Sequence, residues 1–251
     1  MKGWEIFVHS VRLVFANLEV AFKLSLVPYA LSGLAFVFLG AQATAVINQG
    51  SHTAMMATDA SLWTGFLIYL VISIIAALWI AVSWHRFVLL EEYPTSWFPA
   101  FHGGPIMAYF GRGLLLGVLI IAVLFVVSLV LGLLLFWTGA FGAAVVGVSG
   151  FAAAAYIFYR LCPILPSAAI DQPMTMGDAW KATANNGGTI GVLVIVLIIS
   201  SLVVQLPSQI GGTDSVIGVA YSLVVGWFLM LIGVSVLTTF YGHFVEGRII
   251  D

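Results

Sequence analysis

An all-α, polytopic membrane fold with six transmembrane helices is what this sequence predicts, and three observations carry the expectation. Of 251 residues, 62% are hydrophobic. Only 7% are charged, where a soluble domain has about a quarter. The apolar residues gather into six runs that each approach the roughly 20 residues needed to cross a bilayer.

In chain order the runs are 24–42, 62–84, 113–136, 140–160, 189–206 and 216–241. Charges fall almost wholly outside them, because an unpaired ion at mid-bilayer costs several kcal/mol. The third and fourth runs are divided only by "FWTGA", and the fifth and sixth only by "PSQIGGTD". Those lengths suit helical hairpins, and three hairpins are expected in one domain spanning 1–251.

Ahead of the first run, residues 1–23 place Lys2, Glu5, His9, Arg12, Ala16, Glu19 and Lys23 at spacings of three and four. Trp4, Phe7, Val8, Val11, Val14, Phe15 and Leu18 occupy the other face. This predicts an amphipathic helix lying in the headgroup plane and packed on its own bundle, with Glu19 and Lys23 forming an i,i+4 pair.

All eight Lys and Arg residues (Lys2, Arg12, Lys23, Arg86, Arg112, Arg160, Lys181, Arg248) lie before the first run, in the two connections on the same side as the amino end, or in the tail. Basic residues collect on the cytoplasmic side of membrane proteins, so both termini are expected to be cytoplasmic. No cleavable signal is expected, since Glu5, His9 and Arg12 interrupt the first apolar stretch.

The stretch "SWHRFVLLEEYPTSW", residues 83–97, marks such a boundary. Each even-numbered run ends on an aromatic followed by a basic residue: Trp84 with Arg86, Tyr159 with Arg160, Tyr241 with His243. These are expected to be interfacial anchors, ring at headgroup level and basic tip in water. A weak internal repeat of roughly 75 to 85 residues follows. After Pro173, Thr175 and Asp178 have capping-box spacing and predict a short helix, ended by "NNGG" at 185–188. The connection "EEYPTSWFPAFHGGPIMAYFGR" is rich in Trp97, Phe98, Phe101, Tyr109 and Phe110, which suits a reentrant or surface-lying segment.

The pattern Arg160, Leu165-Pro166, Ala168-Ala169, Pro173, Thr175, Ala179-Trp180, Thr183 and Asn186, with "WHRFVLLEEYP" upstream, resembles bacterial integral membrane proteins related to the membrane domain of glycerophosphoryl diester phosphodiesterase and to an uncharacterised family grouped with it. The resemblance implies a six-helix fold in the bacterial inner membrane. It implies no catalytic residue here, because that family's phosphodiesterase activity belongs to a separate soluble domain, not expected within these residues.

Other chemistries are excluded residue by residue. A net charge of -2 with scattered cations gives no basic footprint for nucleic acid. The single cysteine, Cys162, excludes an internal disulfide and a multi-cysteine metal cage. His85, Glu91, Glu92, His102, His243 and Glu246 are the available metal ligands, without an HExxH and with only one His–Glu pair a turn apart, so neither metal nor cofactor is expected. No GxSxG is present. Gly113 and Gly117, and the series Gly139, Ala143, Gly147 and Gly142, Gly150, Ala154, read as close helix packing within the chain.

The expected function is that of a non-catalytic accessory, assembly or scaffolding subunit, with membrane lipids and a larger membrane protein complex as partners. Arg86, Glu91, Glu92, Arg160, Asp171, Asp178 and Lys181 are expected to form an ion-pair belt at the cytoplasmic face or to meet a partner there. The alternative is a transport facilitator or lipid-handling protein for a neutral or amphipathic substrate.

Overall fold

In a computed structural model the described residues are 2–50, 59–211 and 216–250, with side chains described for all of these except 205–211, 216, 217 and 219. Helices make up most of the described chain. The order is α1 (Lys2–Ala16), α2 (Leu18–Ala35), a π-helical segment (Phe36–Gly40), α3 (Ala41–Asn48), α4 (Ala60–Leu90), α5 (Gly103–Leu135), a 3-10 turn (Phe136–Thr138), α6 (Ala140–Leu161), α7 (Ile164–Ala169), α8 (Met176–Ala182), α9 (Gly187–Gly211) and α10 (Val216–Phe244). Six of these stretches are long and apolar enough to cross a membrane: Leu18–Asn48, Ala60–Leu90, Gly103–Thr138, Ala140–Ala169, Gly187–Val204 and Ala220–Phe244. The expected connections at 43–61 and 207–215 fall partly outside the described residues, at 51–58 and 212–215.

Helix ends follow local chemistry. Gly139 closes the turn between α5 and α6 at φ 62° and ψ -133°, a conformation that only glycine adopts without strain. Thr175 and Asp178 form the expected capping box on α8: the Thr175 hydroxyl accepts from the Asp178 N–H, and the Asp178 carboxylate accepts from the Thr175 N–H. The bonds from Thr175, that of its hydroxyl first, hold the Asp178 carboxyl below the usual carboxylate range.

The packed core sits at one end of the bundle. Every buried residue of α4 lies at position 76 or beyond, and those of α5 are Ile106, Tyr109 and Leu116, all in its first half. All six residues of α7 are buried, as are Ile190 and Leu193 at the start of α9 and Leu231, Val236 and Phe240 toward the end of α10. At the opposite end Ile121, Phe125, Leu133, Phe136, Trp137 and Phe141 face outward. Lipid solvates such surface as well as a protein interior does, so the hydrophobic effect does not draw the helices together there.

Helix α1 packs against α9 and α10 through Gly3, Ile6, Ser10 and Val14. The expected apolar face is thus only partly the buried one, since Trp4 and Phe15 point outward. Polar small residues decide the orientation. The Ser10 hydroxyl lies 2.7 Å from the Ile6 carbonyl and 3.0 Å from the Thr239 hydroxyl, and the Ser235 hydroxyl donates to the Ser10 carbonyl at 3.1 Å. Gly3 brings the backbones together: a Cβ there would stand 2.5 Å from the Thr189 carbonyl oxygen and 2.8 Å from the Leu193 nitrogen. Gly3→Ala is therefore expected to lower stability by about 1–3 kcal/mol, the usual range for overpacking against backbone. Gly191→Ala, where a Cβ meets nothing within 4 Å, serves as the near-neutral comparison in thermal unfolding of the detergent-solubilised chain. Equal midpoints for the two variants would refute the close approach.

The small-residue stripes of α5 and α6 divide. Gly150 packs near Leu124, and a Cβ on Gly142 would collide with the Leu135 carbonyl and the Thr138 hydroxyl, so these two glycines do serve contacts within the chain. Gly139, Ala143 and Gly147 instead line an open groove, and a Cβ at Gly139 or Gly147 meets nothing within 4 Å.

Candidate functional site at the charged end of the bundle

Four arginines organise this end, each by donating to a backbone carbonyl. Arg86 Nη1 reaches the Ala169 oxygen at 3.1 Å, and Arg112 Nη1 the Ile164 oxygen at 3.3 Å. Arg160 Nη2 reaches the Trp180 oxygen at 2.6 Å. Arg248, in the tail, donates to Val88 at 3.1 Å and Leu89 at 2.9 Å. The last carbonyls of a helix lack intrahelical partners and form the negative end of its dipole. Arg86 and Arg248 thus satisfy the ends of α7 and α4, where Asp171 and Glu91 turn the chain at positive φ (58° and 56°).

Arg86 also forms ion pairs, its Nε 2.7 Å from Glu92 and its Nη1 2.8 Å from Asp171. Glu92 in turn lies 3.0 Å from His102 Nε2. Two of the expected belt residues, Glu92 and Asp171, therefore do meet Arg86. Asp178 is used in its capping box, and Glu91 and Lys181 are exposed.

Arg160 departs from the belt. It is only 5% exposed, and among the described residues it pairs with no carboxylate. Its guanidinium lies 4.0 Å from the centroid of Trp180 and 5.8 Å from that of Tyr156. The Thr183 hydroxyl lies between the Ala179 carbonyl of α8, at 2.8 Å, and the Arg160 carbonyl, at 3.0 Å, so Arg160 meets α8 and the residue after it through both its side chain and its backbone.

The expected anchors need correction as well. Trp84 is fully buried among Ile80, Phe87 and Leu231, and Tyr241 packs with Leu89 and Ile170, so both rings lie inside the bundle rather than on its surface. Tyr159 is half-buried against Phe240. His243 donates through Nδ1 to the Arg248 carbonyl at 3.1 Å, steadying the tail rather than joining Glu246, which pairs with Arg248 at 2.6 Å. The aromatics that do face outward here include Tyr93, Trp97, Phe98, Phe101 and Trp180.

His85, expected at the boundary, is completely buried because α4 continues to Leu90, six residues past the expected end of its run. Its Nδ1 is 2.8 Å from the Thr238 hydroxyl and its Nε2 3.4 Å from the Tyr109 hydroxyl. Thr238 gives its own proton to the Val234 carbonyl at 2.8 Å, so it accepts from His85 Nδ1–H, which leaves Nε2 to accept from Tyr109. A directed chain, Tyr109 to His85 to Thr238 to Val234, joins α5, α4 and α10. The sequence contains all four residues but no local signal linking positions 153 apart.

A cavity of about 280 Å³ opens beside this framework, lined among others by Ser83, Arg86, Glu92, Thr95 and His102. No sequence spacing links Ser83 with His102. They line one cavity because residues 91–102 fold back along α4, held by the Trp79 indole donating to the Ala100 carbonyl at 3.2 Å. Among the described residues no group of three or more His, Cys, Asp or Glu side chains is placed to hold a metal.

Fold and site together define an all-helical, multi-pass membrane-type bundle with a tightly packed polar framework at one end. No family model, no curated protein and no solved structure matches the chain.

Proposed function

We propose that this protein is a non-catalytic membrane subunit that acts through its charged face, binding lipid and a larger membrane protein complex as an accessory or scaffolding component. The charged face is the cytoplasmic one in this reading, with both termini on that side of a bacterial inner membrane. The kinship to the membrane domain of glycerophosphoryl diester phosphodiesterase belongs to the same proposal. One observation carries it: ionic and polar side chains at this end are spent on fixing loops and helix ends, and the result is a rigid surface bearing exposed Tyr93, Trp97, Phe98 and Trp180. Aromatic residues of this kind favour the headgroup region and protein interfaces.

The test is purification from native membranes in mild detergent, followed by mass spectrometry of what stays bound. A defined membrane protein partner is expected, and Trp97→Ala with Phe98→Ala should weaken its retention about tenfold, as loss of aromatic contacts does at interfaces. Emergence of the chain alone, together with solute movement across liposomes, would replace this reading with a transport facilitator. A lipid-handling role is the second reading, favoured by the polar cavity at Ser83 and His102 and by the apolar groove next to it.

A further inference from the structure

We propose that the cavity at the charged end is a binding site for one phospholipid with a zwitterionic, primary-amine headgroup, phosphoethanolamine in type, whose acyl chain lies in the adjoining groove. The proposal rests on the reading of this face as a lipid- and protein-contacting surface, and it names the lipid.

Four buried side-chain polar atoms lack a partner among the described residues, and two of them, Ser83 Oγ and His102 Nδ1, belong to residues lining this one cavity. Ser83 is 6% exposed. Buried polar groups are ordinarily paired, so two orphans at one wall point to a ligand that supplies the partners.

The charges of the wall select its class. Arg86 is a cation, yet the Glu92 carboxylate on the same wall already contacts it, so an anion alone would meet that carboxylate. A cation alone would meet the guanidinium. A zwitterion satisfies both: the Ser83 hydroxyl and Arg86 donate to phosphate oxygens, while Glu92 accepts from an ammonium. His102 is held against Glu92 through Nε2, which leaves its Nδ1 without a partner on the same wall. The Glu92 carboxylate requires N–H donors, which a primary ammonium has and a quaternary one lacks.

The groove supplies the place for a chain. It is about 360 Å³, wholly apolar, and formed by Val71, Ile74, Ile75 and Leu78 of α4 with Phe101 and the start of α5. The two sites share a wall: Ala100 and His102 face the polar cavity, and Phe101 and Gly103 face the groove. On α4 the groove residues lie 5 to 12 positions before Ser83, about 8 to 18 Å deeper at the rise of an α-helix. That is the direction an acyl chain takes from a headgroup at the boundary.

The experiment is native mass spectrometry of the whole detergent-purified chain titrated with phosphatidylethanolamine, phosphatidylcholine, phosphatidylglycerol and water-soluble phosphoethanolamine. Phosphatidylethanolamine should be retained about tenfold more strongly than the other two lipids, the difference that one or two charge-assisted hydrogen bonds supply. Ser83→Val and Glu92→Gln should each reduce it to the phosphatidylcholine level, with helix content and gel-filtration profile unchanged. Soluble phosphoethanolamine should compete only at about a hundredfold higher concentration, since it buries no chain. Equal retention of the three lipids, a preference that survives Ser83→Val, or equal potency of the soluble headgroup would each overturn the proposal. Should Glu92→Gln fail to fold, Ser83→Val decides. Lipid preference with no protein partner would leave this site standing while the subunit reading fails, and the reverse result would do the opposite.

Discussion

His85→Ala is expected to destabilise the bundle by about 3–4 kcal/mol, among the larger effects available to a single side chain in this protein. The magnitude is a sum in which the hydrogen bonds are the smaller part. Side-chain hydrogen bonds between membrane helices contribute about 0.6 kcal/mol on average, so two of them supply roughly 1 kcal/mol. The larger part comes from the hole left by a fully buried ring in contact with Tyr109, and from the Tyr109 hydroxyl, which loses its acceptor in a place water does not reach. Thr238 suffers less, because its proton remains bound to Val234.

This asymmetry makes a sharper test than the single variant. The amide N–H introduced by His85→Asn stands near the position of Nδ1, and the one introduced by His85→Gln near that of Nε2; the Thr238 contact is much the shorter of the two. His85→Asn is therefore expected to recover about 1 kcal/mol relative to alanine and to exceed His85→Gln. Reversible unfolding in mixed micelles, followed by tryptophan fluorescence, gives the ordering. If alanine costs under about 1 kcal/mol, the directed chain is not a structural element of the bundle.

The fold was legible where a single run of sequence carries the cause. Six apolar stretches announce themselves because lipid imposes a length, and Thr175 with Asp178 announces a helix start because the capping box is local. The Glu19–Lys23 pair, 2.7 Å apart, likewise needs only four residues of context. Helix limits were less legible. His85 and Arg86 read as the end of a span, yet α4 runs through them because each finds a partner far away in sequence: Thr238 for the imidazole, Asp171 and the Ala169 carbonyl for the guanidinium. In the same way α5 begins at Gly103 rather than 113, carrying Arg112 inside the helix with its charge directed to Ile164. The candidate site was visible in part. Arg86, Glu92 and Asp171 form one cluster, while Ser83, Tyr109, His102 and Arg248 join the framework only through tertiary contacts that no spacing rule encodes.

Arg160 shows what such contacts imply for substitution, and Arg160→Lys is expected to be nearly as damaging as Arg160→Ala. Both should cost about 2–4 kcal/mol, the range for a cation removed from a buried, hydrogen-bonded and stacked position. The reason is geometric. The planar guanidinium lies over Trp180 while its Nη2 binds the carbonyl of that same residue, and its Nη1 approaches the Tyr156 hydroxyl at 3.4 Å. A lysine ammonium is a compact point charge with a shorter reach, so it can occupy the ring face or the carbonyl but does not span both. Burial adds to the penalty, since an ammonium is more strongly hydrated and loses more on leaving water. Because α8 is only seven residues long, it has little intrinsic helical stability, and Arg160 with Thr183 is what holds it to α6. The loss should therefore be local before it is global: Trp180, already 42% exposed in the folded chain, becomes more strongly quenched by a soluble quencher at temperatures where the spans remain helical. Trp180→Leu should reproduce about half of the stability loss, removing the stacked ring and keeping the carbonyl bond. A lysine variant indistinguishable from wild type in both quenching and unfolding would mean that charge alone, without the planar fork, fastens α8 to the bundle.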